Sequence, residues 1–316
     1  MDGKTDELLP QETGKTPVLL HNGEMVRPSV IRARQALFIS PGILIILFLL
    51  AIPCISLFAV SFMTRGEYGD IDFVFTLDNM RRLIGFGFFG WSADNLTILW
   101  RSIVVGAVTT ALCVGLSYPL AFFLATRPAR TRLLWLTVLL IPFWTNLVIR
   151  TYAWLLVLDG DMPVARIFAA LGLSARGETL YPSQMAVYIG MVSVFLPFVA
   201  LPLYSAVEKL DWSIVEAAHD LYASRWRTFR HAILPQTMPG LSVGITLTFV
   251  PAMGMFVVPD MLGGAKYMLI GNLIQQQFGS SRDWPFGAAL SLVLMILTLG
   301  ALMAANAAGR KKEGAR

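Results

Sequence analysis

Six apolar stretches, each about twenty residues or longer, decide what this chain can become: Leu37 to Met63, Thr97 to Thr126, Leu133 to Leu158, Gln184 to Ala206, Pro239 to Leu262 and Phe286 to Gly309. A helix of that length crosses about 30 Å of hydrocarbon. Inside hydrocarbon every backbone amide and carbonyl must find a partner within the protein, so the spans are predicted as helices; the ten-residue alternation of a barrel strand is absent. Only 14% of the 316 residues are charged and 56% are hydrophobic, which excludes an ordinary soluble domain. The first apolar run begins well inside the chain and is long enough to span, so it is read as a retained helix rather than a cleaved signal. Cys54 and Cys113 both lie in apolar runs and are expected as small buried hydrophobes, not as a disulfide or a metal site.

The loops sort by charge. Residues 1–36, 127–132, 207–238 and 310–316 together carry sixteen lysines and arginines, whereas the alternate loops carry seven. That bias predicts both termini and the 207–238 loop on the cytoplasmic side, and it accounts for the +5 net charge without a nucleic-acid partner. Residues 1–36 read as a cytoplasmic, mostly disordered tail ending in Arg27, Arg32 and Arg34, residues 37–309 as the membrane domain, and 310–316 as a basic cytoplasmic tail. Gly14-Lys15-Thr16 looks like the end of a phosphate-binding loop, but position 9 is Leu9 where the earlier glycine is required. Loop 64–96 is acidic, with Glu67, Asp70, Asp72, Asp78 and Asp94, and aromatic over Phe86 to Trp91; it reads as a small cap, a receiving surface for another protein, or a solvated connection.

The longest polar interruption runs from Glu208 to Pro239. Ser213 to Glu216 has the spacing of a capping box, and Ile214, Ala217, Ala218 and Leu221 then recur at helical intervals beside Glu216, His219 and Asp220. Ser224 is placed to cap a second short helix carrying Trp226, Phe229 and three arginines, with Pro235 ending it. Helices this short need a surface to lie on. A partner's groove and the anionic membrane surface both suit this pattern, and periodicity does not separate them.

Glu216-Ala217-Ala218, then position 222, then Leu234-Pro235 resembles the EAA loop of membrane subunits of binding-protein-dependent ABC importers. The likeness extends along most of the chain from Leu37. Pro142-Phe143-Trp144, Arg150-Thr151-Tyr152-Ala153-Trp154, Glu208-Lys209-Leu210-Asp211, Leu262-Gly263-Gly264, Gln277-Phe278 and Asp283-Trp284-Pro285 are similar to the spermidine/putrescine permease branch. The resemblance implies an all-α membrane protein of six transmembrane helices, of the type I ABC importer permease kind, in the bacterial inner membrane. It further implies that loop 208–235 is a coupling helix seated on a separate ATPase, with Glu216, Ala217, Ala218, Leu221, Tyr222, Trp226, Phe229, Leu234 and Pro235 as its contact residues. The implied partners are a second permease subunit, an ATPase dimer holding ATP and Mg, an extracytoplasmic substrate-binding protein and lipid, with no cofactor on this chain. Two positions depart from the family: its usual glycine is Tyr222, and its usual isoleucine is Ala232.

For the path of a cationic amine, carboxylates and aromatic faces are the expected partners. Asp159, Asp161 and Asp260 fall near span ends, with Tyr152, Trp154, Phe249 and Phe256 close in sequence, and Asp260 follows Phe256 by one turn. Arg150, with Asn146 and Trp154 one turn to either side, is a further candidate lining residue, although an arginine repels a polyamine. Pro251, Gly254 and Pro259 predict a bend in span five. No catalytic or metal-ligating cluster is identified: His21, His219 and His231 do not converge, which argues against a membrane enzyme. A self-sufficient secondary transporter would show inverted repeats and buried mid-membrane carboxylates, and neither is clear. Permeases for ferric iron, phosphonate or opine remain alternatives within the importer class.

Overall fold

The computed structural model describes residues 18–19, 25–26, 28–67, 69–87, 90–172, 175, 177–264 and 267–313, with side chains from 40 to 303. Gly14-Lys15-Thr16, His21 and Arg27 of the expected tail, and the last three residues, lie outside that set. The chain divides into two units, Met1–Ser56 and Leu57–Arg316. In the first, strands β1 (Val18–Leu19) and β2 (Met25–Val26) pair antiparallel, and helix α1 (Pro28–Ser61) begins nine residues ahead of the expected Leu37. Residues 28–36 are thus helical where a tail was expected: a proline is well tolerated in the first turn, where its missing N–H has no intrahelical partner anyway.

The second unit opens with a small cap rather than a bare connection. Strands β3 (Met63–Arg65) and β4 (Ile71–Phe75) form a hairpin, followed by α2 (Asp78–Leu83) and a second hairpin, β5 (Phe86–Gly87) with β6 (Gly90–Trp91). Buried Asn79 donates to the carbonyls of Ser61 and Met63 at 3.0 and 2.9 Å. Arg82 pairs with Asp283 at 2.9 Å and lies 4.0 Å over the Phe286 ring, so the cap is tied to the last helix of the unit.

The remaining elements are α3 (Asp94–Ala125), α4 (Ala129–Trp144), α5 (Leu147–Val157), α6 (Pro163–Ala170), α7 (Gln184–Glu208), α8 (Trp212–Asp220), α9 (Arg225–Thr228), a π turn (Phe229–Ile233), α10 (Leu234–Gly254), α11 (Val257–Gly263), α12 (Ile270–Phe278) and α13 (Trp284–Glu313). Five described helices are long and apolar enough to cross a membrane, and α4 with α5 supplies a sixth span if the bent pair counts as one.

Two predicted spans are not single helices. Span three, expected as Leu133 to Leu158, breaks between α4 and α5 with a bend of 96°. Thr145 and Asn146 are extended there; the Thr145 hydroxyl donates to the Pro142 carbonyl at 2.6 Å, and the Asn146 side chain caps α5 by accepting from the Val148 amide at 2.8 Å. Local side chains thereby satisfy the backbone that the break frees, the condition for irregular chain at membrane depth. Span five, expected as Pro239 to Leu262, ends at Gly254 and resumes as α11. The expected bend is a full interruption, because Asn272 of α12 donates 2.9 Å to the Phe256 carbonyl in the gap and holds it open.

The core is α3, α7 and α10. On α3, Ser102, Gly106, Thr109, Cys113, Ser117 and Ala121 are buried and spaced three or four apart, a face of small residues that admits the other two helices closely. On α10, Gly240 and Gly244 repeat that device toward α7. A Cβ on Gly240 would lie 2.5 Å from the Pro202 carbonyl oxygen and 2.6 Å from Ala206 Cβ, and one on Gly244 would lie 3.0 Å from Val199 Cα. Ser102 accepts from the Ile270 amide at 2.8 Å, docking α12 onto α3. Cys113 is fully buried on this face, as its sequence setting predicted, whereas Cys54 of α1 is half-buried.

Gly240→Val should therefore push α10 off α7 and destabilise the folded protein by about 1–3 kcal/mol. Gly300→Ala, where the added methyl meets nothing within 4 Å, should leave it unchanged. Thermal unfolding of both variants in detergent, followed by size-exclusion chromatography, checks this; equal midpoints would refute the close-packing account.

Candidate functional site

The loop between α7 and α10 is built in three steps. Lys209 closes α7, and Asp211 caps α8, its carboxylate accepting from the Ser213 amide at 3.0 Å and the Ser213 hydroxyl at 2.7 Å. The cap is thus Asp211, not the predicted Ser213; an aspartate two residues ahead offers a charged acceptor at the positive helix end and takes the hydroxyl as well. The Asp211 amide donates to the Gln236 side chain at 3.0 Å, and buried Val215 meets Leu210, Ala232, Ala218 and Ile233. Trp212 lies edge-on to Phe122 of α3 at 6.5 Å between ring centres.

The second step is the end of α8. The Ala223 amide donates to the Ala218 carbonyl at 3.0 Å and the Tyr222 amide to the His219 carbonyl at 2.9 Å, the paired bonds of a Schellman turn. Its geometry requires a left-handed residue, and Tyr222 supplies it with φ of 55°. A side chain in that conformation costs on the order of 1 kcal/mol relative to glycine. The ring gains nothing from its own chain, being 97% exposed.

The third step joins the loop to the membrane helix. Ser224 caps α9 as predicted, accepting from the Arg227 amide at 3.4 Å. Trp226 stacks on Phe229 at 5.8 Å, and Phe229 meets Tyr118 of α3 at 5.3 Å. Pro235 does not end the second helix. The helix runs on from Arg225 to Gly254, because the π turn at Phe229–Ile233 widens the backbone just ahead of the proline, where an α-helix would press the ring against a carbonyl and lose a hydrogen bond. Tyr118 also meets the Thr237 hydroxyl at 3.1 Å, and Arg132 pairs with Glu208 at 2.6 Å.

Of the predicted stripe, only Ala218 turns toward the bundle, beside Val215, which had not been singled out. Ile214, Glu216, Ala217, Leu221, Tyr222 and Trp226 are exposed, with Ile214, Ala217 and Leu221 spaced along one bare apolar side of the helix. Phe229 and Leu234 are half-buried and Pro235 is exposed. Tyr118, Phe122 and Gln236, which hold the loop from the membrane side, were missed; aromatic and amide residues inside apolar runs carry no signal that distinguishes such a role.

The path candidates separate into groups. Trp154 donates to the Ser193 hydroxyl of α7 at 2.9 Å, Asn146 is a helix cap, and Phe249 is half-buried beside Gly106; these three are engaged within the fold. Tyr152 is exposed on α5, which packs on α11, where Asp260 is also exposed. Phe256 lines an open cleft of about 530 Å³ with Gln275, Ser291 and Thr298, at the interruption of span five. Asp159 is half-buried and accepts from the Asp161 amide at 3.3 Å. Among the described residues no group of three or more His, Cys, Asp or Glu could hold a metal ion.

Residues 117–308 match the family model described as the binding-protein-dependent transport system inner membrane component. The chain is 42% identical over 246 residues to the spermidine/putrescine transport system permease protein PotB of Escherichia coli (strain K12), covering 78% of this chain and 87% of the relative. To the protein of the same name from Haemophilus influenzae it is 38% identical over 252 residues, covering 80% and 86%. In fold it is similar to a chain in the crystal structure of a bacterial ABC transporter involved in the import of the acidic polysaccharide alginate, with a TM-score of 0.67, 15% identity, and coverage of 90% and 98%. A chain with this match is a transport component rather than an enzyme. With its several spanning helices, the protein belongs to the family of binding-protein-dependent transport system inner membrane components, the permease subunits of ABC importers.

Proposed function

We propose that this chain is one of two permease subunits of an ATP-driven importer for a polyamine such as spermidine or putrescine, working with a separate ATPase dimer and an extracytoplasmic binding protein. The substrate class rests on the relatives at 42% and 38% identity that bear that name. The observation that carries the coupling mechanism is the two-sided build of α8. One face, Val215 and Ala218, is fixed to the bundle, while Ile214, Ala217, Leu221 and Trp226 are left bare. A helix so held is a handle: a groove on the ATPase that takes the bare face would pass motion to α10 through Val215 and Asp211, and to α3 through Trp212 and Phe229. The basic loops support a cytoplasmic placement for this handle and for both termini. Over α8 that face carries no lysine or arginine, fewer than a lipid-bound helix would use; Arg225 and Arg227 come in only beside Trp226. On the substrate side, Tyr152, Phe256 and Asp260 are the groups free to meet an ammonium.

Three outcomes are expected. In vesicles holding the whole assembly, unlabelled spermidine or putrescine should compete with labelled polyamine for ATP-dependent uptake, whereas phosphonates and opines should not; no competition by any polyamine removes the substrate assignment. Glu216→Arg and Ala217→Trp should each lower uptake about tenfold while ATP hydrolysis by the assembly persists, an effect of about 1.4 kcal/mol on coupling. Normal uptake in both variants would count against the handle. Tyr222→Gly should raise the thermal stability of the isolated permease by up to about 1 kcal/mol through relief of the left-handed residue, and a lower melting midpoint would contradict that reading of the turn.

A further inference from the structure

Helices α7 and α10 touch at Gly240, where an added Cβ would lie 2.5 Å from the Pro202 carbonyl oxygen. On the loop side of that contact they leave between them an open cleft of about 450 Å³. Its lining holds one cation and no anion. Lys209 closes α7, and Ser205 stands one helical turn before it, on the same side of the helix. Both are exposed, and neither side chain has an ion pair or a hydrogen bond among the described residues. The acids nearest to Lys209 in sequence are engaged elsewhere: Glu208 pairs with Arg132, and the Asp211 carboxylate accepts from Ser213. Gln236, across the cleft, is also in use. Its oxygen accepts from the Asp211 amide at 3.0 Å and its nitrogen donates to the Ala232 carbonyl at 2.9 Å.

The lining changes character along its length. Pro202 precedes Lys209 by seven residues, roughly 10 Å at 1.5 Å per residue. At the end reached by Pro202 and Pro239 the wall is apolar and belongs to two spanning helices; at the Lys209 end α7 stops and the polar loop begins. Proline has no N–H, so the donors left for an occupant are the Lys209 ammonium and the Ser205 hydroxyl. Two donors one turn apart suit a negatively charged group with several oxygens, and a phosphate ester is such a group. A polyamine has the wrong sign. A small free phosphate would leave the apolar end of the cleft unfilled, whereas a phospholipid carries its own apolar continuation. The basic loops put this end of the bundle at the inner leaflet, whose surface is anionic.

We propose that the cleft between α7 and α10 binds an anionic phospholipid of the inner leaflet, with its phosphate on Lys209 and Ser205 and its acyl chains along Pro202, Ala206 and Pro239. Occupancy braces the two helices beside the Asp211–Gln236 bond, at the root of the loop. The proposal rests on the cytoplasmic placement of that loop given above, and on neither the polyamine nor the coupling reading.

The test uses the complete transporter in nanodiscs of phosphatidylcholine with or without phosphatidylglycerol. Native mass spectrometry should show a phosphatidylglycerol retained in preference to phosphatidylcholine, and that lipid should raise the thermal midpoint. Lys209→Gln should weaken the retention about fivefold. Ser205→Phe, which fills the cleft and leaves the lysine in place, should abolish it, while Lys209→Arg should keep it and so guard against misfolding. Arg130→Gln removes an exposed charge outside the cleft and should leave retention unchanged. Equal retention by the wild type, Lys209→Gln and Ser205→Phe overturns the proposal. An equal loss in Arg130→Gln does the same, since it marks diffuse surface charge. Inorganic phosphate or glycerol phosphate that stabilises the detergent-purified protein as well as the diacyl lipid does assigns a free phosphate instead. Cross-linking of Ser205→Cys to another subunit, in a chain without Cys54 and Cys113, gives the cleft to protein and equally overturns it. In that same background, labelling of Lys209→Cys by an impermeant maleimide in inside-out but not right-side-out vesicles checks the cytoplasmic placement separately. None of these measurements reads uptake, so loss of the polyamine assignment leaves their result standing.

Discussion

Small residues where helices cross are the constraint on which the rest of this structure depends. In lipid, apolar side chains gain little by leaving one apolar surface for another, so helices are held by close van der Waals contact and a few polar bonds. The face of α3 from Ser102 to Ala121 and the glycines of α10 provide that contact, and α7 is seated between them with bulkier residues such as Met191, Phe195 and Leu203. Once the three are locked, their ends fix everything else. One end carries the Arg82–Asp283 bond of the cap, the other the Arg132–Glu208 bond and the loop built on Tyr118 and Phe122. Span three is hung on this trio, and span five breaks only beyond the α10 segment that belongs to it.

The sequence made the spanning helices, their approximate bounds and the loop between the fourth and fifth spans legible, because length and hydropathy are dictated by the solvent and the loop interrupts them with charge. It pointed to the place where span five gives way, at Pro251, Gly254 and Pro259, but not to the break in span three. Pro142, Thr145 and Asn146 carry turn chemistry, yet an apolar window averages over two extended residues. The gap after Gly254 depends on Asn272, a partner 16 residues away from the carbonyl that it holds, and no local pattern shows that. The loop was read well at its caps and less well in its faces. Ser224 and the special backbone at Tyr222 follow from local rules, whereas the choice of Val215 over Ile214 and Leu221 as the buried side is made by Leu210 and Ala232, outside the short helix.

Among the site residues, chemistry was legible and neighbourhood was not. Trp154 and Asn146 look like ligand groups in a list of residue types, but each finds its bond within the fold. Arg150, by contrast, keeps its Nε and Nη1 buried without a bond among the described residues. Composition assigns polarity to positions; only the fold assigns satisfaction, and buried donors without partners are informative because proteins so rarely leave them.

The π turn at Phe229–Ile233 also sets an angular phase. It inserts roughly one extra residue into an otherwise continuous helix, so the residues ahead of it are rotated by about 100° relative to an unbroken α-helical count. Trp226 and Gly240 share one rod, and that offset lets the tryptophan look outward while the glycine looks into α7. The wide turn therefore sets the direction in which the loop end faces, separately from the face that the glycines give to the packed core.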